Sequence, residues 1–415
     1  MKKIKKGVVA FSFFLLLILF GCINTQQKEQ INISKEIPSN LSPKNTMLEP
    51  QISENNSENN SANISTDNTT SYSDEQILIE NETSLEVIME NASERIKCTR
   101  NFSQKFNSEP YYYGSLFDAH FHMPSLIDFG EMEGHGTDHD FDSITDPVLG
   151  KDVELEKILC MFDKENVTGI IGFSIGAEQL FQETIDMAES VNKNSSGKIR
   201  LFLMPFTFNL EKLDEIQWNN PNLFQGYGEI AFYFKDNPSP NSKKMTDIYK
   251  LAEKYDLIVM AHPDGRQENE IEKVIKENPN VKFLLHGPEI EDSIIDLMDR
   301  YPNVYYSLDA ILIRLPNSPG ALMYTVNSKG NFIAKFTENF DTIMDEAVER
   351  WKGKIELYPD RFMWGTDRAY KWTYDEEVSV LLEEFGRAFI ARLKPSVQEK
   401  FAYKNAEELI TVFDN

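Results

Sequence analysis

From Ser115 onward the chain alternates short apolar runs with longer amphipathic stretches. The runs cover residues 115–122, 167–175, 199–206, 223–232, 257–262, 281–286, 304–309 and 361–367. Each is near-continuously apolar or aromatic, the pattern of strands covered on both faces. Between most of them lie helical patterns, over 245–255, 268–277, 293–300 and 340–351, whose apolar residues recur at three and four, as in Ile248, Leu251 and Ala252. Asn-Pro-Asn at 278–280 and Tyr-Pro-Asn at 301–303 separate helix from following strand. Eight strands, with intervening helices and a closing helical tail over 376–393, predict an α/β fold, a (β/α)8 TIM barrel over 115–415. A doubly wound open sheet has the same spacing and is the competing architecture.

The first 114 residues follow no such rhythm. Lys2, Lys3, Lys5 and Lys6 precede an apolar stretch over 7–21, shorter than the roughly 20 residues of a membrane span. This is the pattern of a signal peptide over 1–22. It ends Leu19-Phe20-Gly21-Cys22, which resembles the lipobox of secreted lipoproteins, where the cysteine is lipidated and becomes the new N-terminus. Phe20 departs from the small residue usual before that glycine, and a plain signal-anchor helix is the alternative. Either reading leaves the bulk of the chain outside the cytoplasm, tethered to the outer face of a membrane.

Residues 23–74 are rich in Asn, Ser, Glu, Gln and Thr and too poor in large apolar side chains to offset their ordering entropy, so they are expected to form a disordered stalk. Asn-x-Ser/Thr sequons at Asn32, Asn40, Asn55, Asn59, Asn63 and Asn68, then Asn81, Asn91 and Asn101, make it a candidate glycosylated spacer. Residues 75–114 are expected to form an N-terminal helical segment.

The formal charge of −25 argues against nucleic acid and against an anionic surface, because contacts to phosphate dominate such affinity. With Cys22 assigned to lipidation, Cys98 and Cys160 remain. An exported chain can pair them, two buried thiols are the alternative, and their spacing is not that of a zinc motif.

Only six histidines occur, and four stand at the ends of predicted strands: His120 and His122 on the first, His262 on the fifth, His286 on the sixth. Asp367 ends the eighth. In a barrel enzyme the active site gathers at that end from several strands at once. Residues two apart on a strand share a face, so His120 and His122 both aim into the barrel mouth. Imidazole and carboxylate are ligands that a borderline cation such as zinc prefers.

At these residues the chain resembles the amidohydrolase superfamily, particularly its Amidohydrolase-2 branch. The resemblance rests on Asp118-Ala119-His120-Phe121-His122, Ala261-His262-Pro263, Leu285-His286-Gly287 and Gly365-Thr366-Asp367, in that order. The tail Lys404-Asn405-Ala406-Glu407-Glu408-Leu409 also looks like the family's closing helix, so the resemblance spans roughly residues 115–412. It departs at the fourth strand, where many two-metal members carry a carboxylated lysine and this chain has Gly228-Glu229-Ile230, similar to the TatD-type nucleases. Two metal sets follow from the resemblance. In one, His120, His122, His262 and Asp367 hold one ion, with His286 behind it or facing substrate. In the other, Glu229 bridges and His262 and His286 hold a second ion. Glu229 paired to an arginine or a backbone amide is the structural alternative.

The resemblance implies hydrolysis of a small amide, ester or lactone by metal-activated water, with zinc the expected ion, Asp367 as general base and His286 on the substrate oxygen. A metal-dependent decarboxylase or hydratase of the same family is the nearest alternative. A solute-binding lipoprotein of two hinged lobes is another, and acidity and export disfavour a nuclease. Arg266 and Arg368 are candidate partners for a substrate carboxylate, with ion pairing to the chain's own acids the alternative for both. The long loop after the first strand, residues 123–152 with His135 and His139, is a lid, a second metal patch or a solvated surface. Asp309 is expected to be structural, and Tyr111–Tyr113 to pack under the barrel floor.

Overall fold

The computed structural model describes residues 106, 109–123, 155–174, 176, 178–234, 237–318, 320–326, 328–368 and 371–411. The signal peptide with Cys22, the stalk and its sequons, Cys98, and the loop carrying His135 and His139 lie outside the described residues.

Eight strands form: β1 Leu116–His122, β2 Val167–Ser174, β3 Ile199–Leu203, β4 Gly226–Ala231, β5 Ile258–His262, β6 Lys282–Leu285, β7 Val304–Leu308 and β8 Phe362–Trp364. They pair in chain order, every pair parallel. The ends meet through a bridge between Phe121 and Arg368 and through the Asp367 amide, which donates to the His120 carbonyl at 2.8 Å. The described residues form one TIM barrel, rather than a doubly wound sheet or a pair of hinged α/β lobes. Helices α1 Leu155–Glu165, α2 Phe181–Ser195, α3 Leu210–Asn219, α4 Lys243–Lys254, α5 Glu268–Glu277 and α6 Ile294–Arg300 alternate with the strands. A short turn of helix, α7 Leu322–Thr325, and the long α8 Lys329–Leu357 fill the β7–β8 connection; α9 Glu376–Ala391, α10 Pro395–Glu399 and α11 Asn405–Thr411 follow β8. Among the described residues no helix is long and apolar enough to cross a membrane.

Period-two alternation sorts the strand residues into two cores. Phe117, Ile171, Phe173, Phe202, Ile258, Met260, Leu284 and Met363 fill the interior, with Ala406, Leu409 and Ile410 of α11 among them. Their neighbours Ile170, Leu201, Val259, Leu285 and Phe362 face outward into the layer under the helices. The closing helix therefore plugs the floor, fixed where Asn405 donates to the Phe362 and Pro359 carbonyls at 2.7 and 2.8 Å. That corrects the expectation for Tyr111–Tyr113. Tyr111 and Tyr112 belong to the outer layer, where the Arg387 guanidinium of α9 donates to the Tyr112 carbonyl at 3.0 Å, and Tyr113 is exposed. Residues 109–114 form no helix, so the segment expected over 75–114 is not helical at that end.

Arg368 differs more sharply. Its side chain is wholly buried on the outer face, 2.9 Å from the Glu165 carboxylate, with Ser379 Oγ at 2.7 Å and the Phe121 ring beneath it. A residue next to an inward Asp367 must face outward, and Arg368 does, away from any substrate; ion pairing, the alternative, is what the fold uses. Removing one partner of a buried pair leaves an uncompensated charge, so Arg368→Leu is expected to cost about 3–5 kcal/mol in urea unfolding. A loss under about 1 kcal/mol would contradict that role.

Candidate functional site

The same alternation that fills the interior carries the polar residues to one end of the barrel. Ile258 and Met260 point inward, and so does His262; Leu284 is followed inward by His286. On β1 a register shift between Asp118 and Phe121 lets Ala119, His120 and His122 all face in. A second shift between Tyr227 and Ile230 turns Glu229 of β4 to the centre. Gly228 is required there, since a Cβ would stand 2.7 Å from that of Met260.

Glu229 is the hub. Its Oε1 lies 2.9 Å from His262 Nδ1 and 2.5 Å from His286 Nε2, while Oε2 lies 3.3 Å from His122 Nε2 and 3.8 Å from His120 Nε2. Asp367, in a left-handed backbone conformation with φ of 48°, sets Oδ1 3.1 Å from His122 Nε2 and 3.3 Å from His120 Nε2. All the sequence-predicted ligands converge: His120, His122, Glu229, His262, His286 and Asp367. Arg266 does not. It extends from the β5–α5 loop with its side chain 87% exposed and pairs with Asp264 at 2.9 Å.

Three residues of the site are not among the predicted ligands or catalytic groups; of these, Asp309 is expected from the sequence to be structural. Asp309, following β7, places Oδ2 2.9 Å from His120 Nδ1 and 3.3 Å from His286 Nδ1. Glu289, in the turn after β6, meets His262 Nε2 at 3.0 Å. The Tyr324 hydroxyl of α7 donates to Asp367 Oδ2 and to the Asp367 carbonyl. Asp309 alone carried a signal, its place at a strand end, shared with the histidines.

The donors suit a divalent cation. The Nε2 atoms of His120 and His122 stand 3.2 Å apart and both face carboxylate oxygens, a cluster of lone pairs that a cation satisfies. Donor atoms within 4.8 Å of one another fall into the sets His120, His122, Glu229; Glu229, His262, His286; and His120, His286, Asp309, Asp367. Protons do the same work where no cation does. Burial disfavours the His120 imidazolium, but Asp367 and Asp309 outweigh it and hold its pKa well above the usual range. Burial and the His120 charge likewise oppose the His286 imidazolium, yet Glu229 and Asp309 lift it to about 9. His262 is raised against burial and His286 by Glu229 and Glu289. Glu229 is held well below the carboxylate range, because the histidines overcome its burial.

A family model described as amidohydrolase matches residues 179–411, over half of the chain. The chain is also similar to solved structures. A probable 2-pyrone-4,6-dicarboxylic acid hydrolase from Acinetobacter baumannii with citric acid bound is 12% identical, covering 72% of this chain and 99% of its own, with a TM-score of 0.47. An amidohydrolase from Burkholderia multivorans with bound zinc is 12% identical over 72% and 99%, with a TM-score of 0.48. A 2,6-dihydroxybenzoate decarboxylase complexed with 2,6-dihydroxybenzoate is 12% identical over 72% and 99%, with a TM-score of 0.41. No curated protein matches the chain.

The raised histidine values fix a sign. Groups protonated near neutrality must lose protons to bind a cation, so affinity is expected to rise with pH up to about 9. Calorimetric titration with Zn2+ at pH 7.5, in buffers of different ionisation enthalpy, should show protons released; heats independent of buffer would contradict the protonated cluster. In the ion-free protein the His286 contribution to stability is fully present below the unfolded value of about 6.5 and is lost as pH rises through about 9.

Proposed function

The chain belongs to the amidohydrolase family, and we propose that within it the protein is a metal-dependent hydrolase of a small amide, ester or lactone, working as a two-ion centre with zinc as the ion. The observation that carries this is the position of Glu229, whose two oxygens face two separate groups of histidines. His120, His122, Glu229 and Asp367 would hold the first ion; Glu229, His262 and His286 the second. His262 joins the set with Glu229 and His286 rather than the one with His120 and His122, which favours two ions over one.

A cation bound there supplies Lewis acidity, lowering the pKa of water to roughly 7 and polarising the substrate oxygen. The chain's own residues do the rest. Asp367 faces the centre with Oδ1 and is fixed at Oδ2 by Tyr324, so its carboxylate is oriented to take a proton from the attacking water and return it to the leaving group. Burial and the Asp367 charge push the Tyr324 phenol well above its ordinary pKa, so it stays a donor through that cycle. Phe173 stands edge-on to the His120 and His122 rings, at centroid distances of 4.9 and 5.6 Å, and closes the side of the site against water.

We place this chemistry outside the cell, on a lipid anchor at Cys22 and a glycosylated stalk. The disulfide-bonded state of Cys160 supports an oxidising compartment. Fractionation of Cys22→Ser tests the anchor: the variant is expected in the soluble fraction, and unchanged membrane association would overturn it.

Metal analysis of the purified protein should give two equivalents. Chelation should abolish hydrolysis of a panel of small amides, esters and lactones, and Zn2+ should restore it. Asp367→Asn is expected to lower kcat by about 10²–10⁴-fold without changing the melting temperature, and His122→Ala to abolish turnover. Near-normal activity in both variants would sink the assignment. Carbon dioxide release in place of hydrolysis would move the protein to the decarboxylase branch of the family.

A further inference from the structure

Two carboxylates that belong to neither proposed ligand set hold the backs of the histidines. A neutral imidazole has one protonated and one bare nitrogen, and the nitrogen facing an orienting acid keeps the proton. His120 and His286 both turn Nδ1 to the same oxygen of Asp309, at 2.9 and 3.3 Å, which leaves Nε2 of each for the centre. His262 is reversed: Nε2 faces Glu289 at 3.0 Å and Nδ1 faces Glu229.

The backbone enforces the reversal. Gly287 has φ of 99°, and a Cβ there would lie 2.4 Å from His262 Nε2, so the turn passes flush against the ring and delivers Glu289 to it. The Tyr306 hydroxyl fixes that turn by donating to the Gly287 carbonyl at 2.9 Å. Asp309 is buried; among the described residues its Oδ1 has no hydrogen-bond partner and neither has His286 Nδ1, so Oδ2, hydrogen-bonded to His120 and 3.3 Å from His286, is the acceptor that both rings face.

We propose that Asp309 and Glu289 are positioning residues that set the ligand nitrogen of three histidines, and that Asp309, by holding one histidine from each half, couples the two cation sites while Glu289 serves the second alone. The inference rests on the two-ion reading. Partners of this kind govern affinity by about 10–100-fold.

The experiment is a Zn2+ competition titration of metal-free protein against a chromophoric chelator. Variants His262→Ala and His122→Ala isolate the first and second halves respectively. Glu289→Ala should weaken the second half by about 10–100-fold and leave the first unchanged. Asp309→Ala should weaken both by that factor. Asp309→Asn, which keeps the buried shape and one acceptor oxygen, should weaken both by less and report the effect should the alanine variant fail to fold. A folded Asp309→Asn protein with wild-type affinity in either half would overturn the coupling, and unchanged second-half affinity in Glu289→Ala would overturn the role of Glu289. A wild-type protein that binds a single ion would refute the two-ion reading; Asp309 would then be judged on that ion, whose affinity must still fall in both Asp309 variants.

Discussion

The barrel closes along one seam, and the site is built across it. β1 and β8 share little backbone ladder: the Phe121–Arg368 bridge and the Asp367 amide on the His120 carbonyl. Side chains complete the closure. Asp118 accepts from the Thr366 hydroxyl at 2.5 Å, from the Thr366 amide at 2.9 Å and from the His120 amide at 3.1 Å. Tyr374 donates to the carbonyls of His122 and Arg368, spanning the same gap. Burial lifts Asp118 to about 6 against the pull of Arg368, so at neutral pH the clamp keeps its charge. His120 and His122 stand on one side of the seam and Asp367 on the other. Their 3.1–3.3 Å spacing is therefore set by barrel closure rather than by either strand alone.

The centre poses an electrostatic problem of its own. Glu229, Asp309 and Asp367 are all buried within one pocket, where desolvation costs several kcal/mol per ion. At about 4 Å, opposite charges repay about 4 kcal/mol in a medium of effective dielectric near 20. Against that burial, the neighbouring histidines hold the Glu229 and Asp309 carboxyls below the usual carboxylate range. Imidazolium protons supply the positive charge, and so does a divalent cation, which brings two charges to the same atoms. The site exchanges protons for cation without ever leaving its carboxylates unpaired. Because the unfolded chain has no such cage, any affinity for the ion adds to the stability of the fold.

Much of this was legible in the sequence because the signal residues are rare. Six histidines among 415 residues make four at strand ends conspicuous, and the apolar runs marked all eight strands. Asp and Glu number 67, so Glu289, in a turn and far in sequence from its partner His262, could not be told from a surface acid. Tyr324 sits on a four-residue helix inside the β7–β8 connection, a feature that periodicity over so short a span does not encode. Arg368 is different. The alternation that joins His120 to His122 also assigns Arg368 to the face opposite Asp367, where it pairs with Glu165. The family model matches from residue 179, beyond β1, so the His120–His122 pair is tied to the site by its own motif and by geometry.

Reaction and selection are then divided between two parts of the same barrel end. The strand ends hold the residues proposed as ligands, and their positions are over-determined by the seam and by the interior packing. The rim is built differently. Tyr233 and Phe234, just past β4, are exposed with their rings tilted against each other at 4.5 Å, and the Tyr233 ring lies 4.5 Å from His262. With Arg368 on the far face and Arg266 directed to solvent and paired, the described rim meets a substrate with aromatic surface rather than with a guanidinium. Among the described residues, the charge of an anionic substrate would be met by the centre itself, in competition with Glu229 and Asp367. A neutral amide, ester or lactone, as proposed, would place no such demand, and the exposed Tyr233–Phe234 face beside His262 would suit its apolar part.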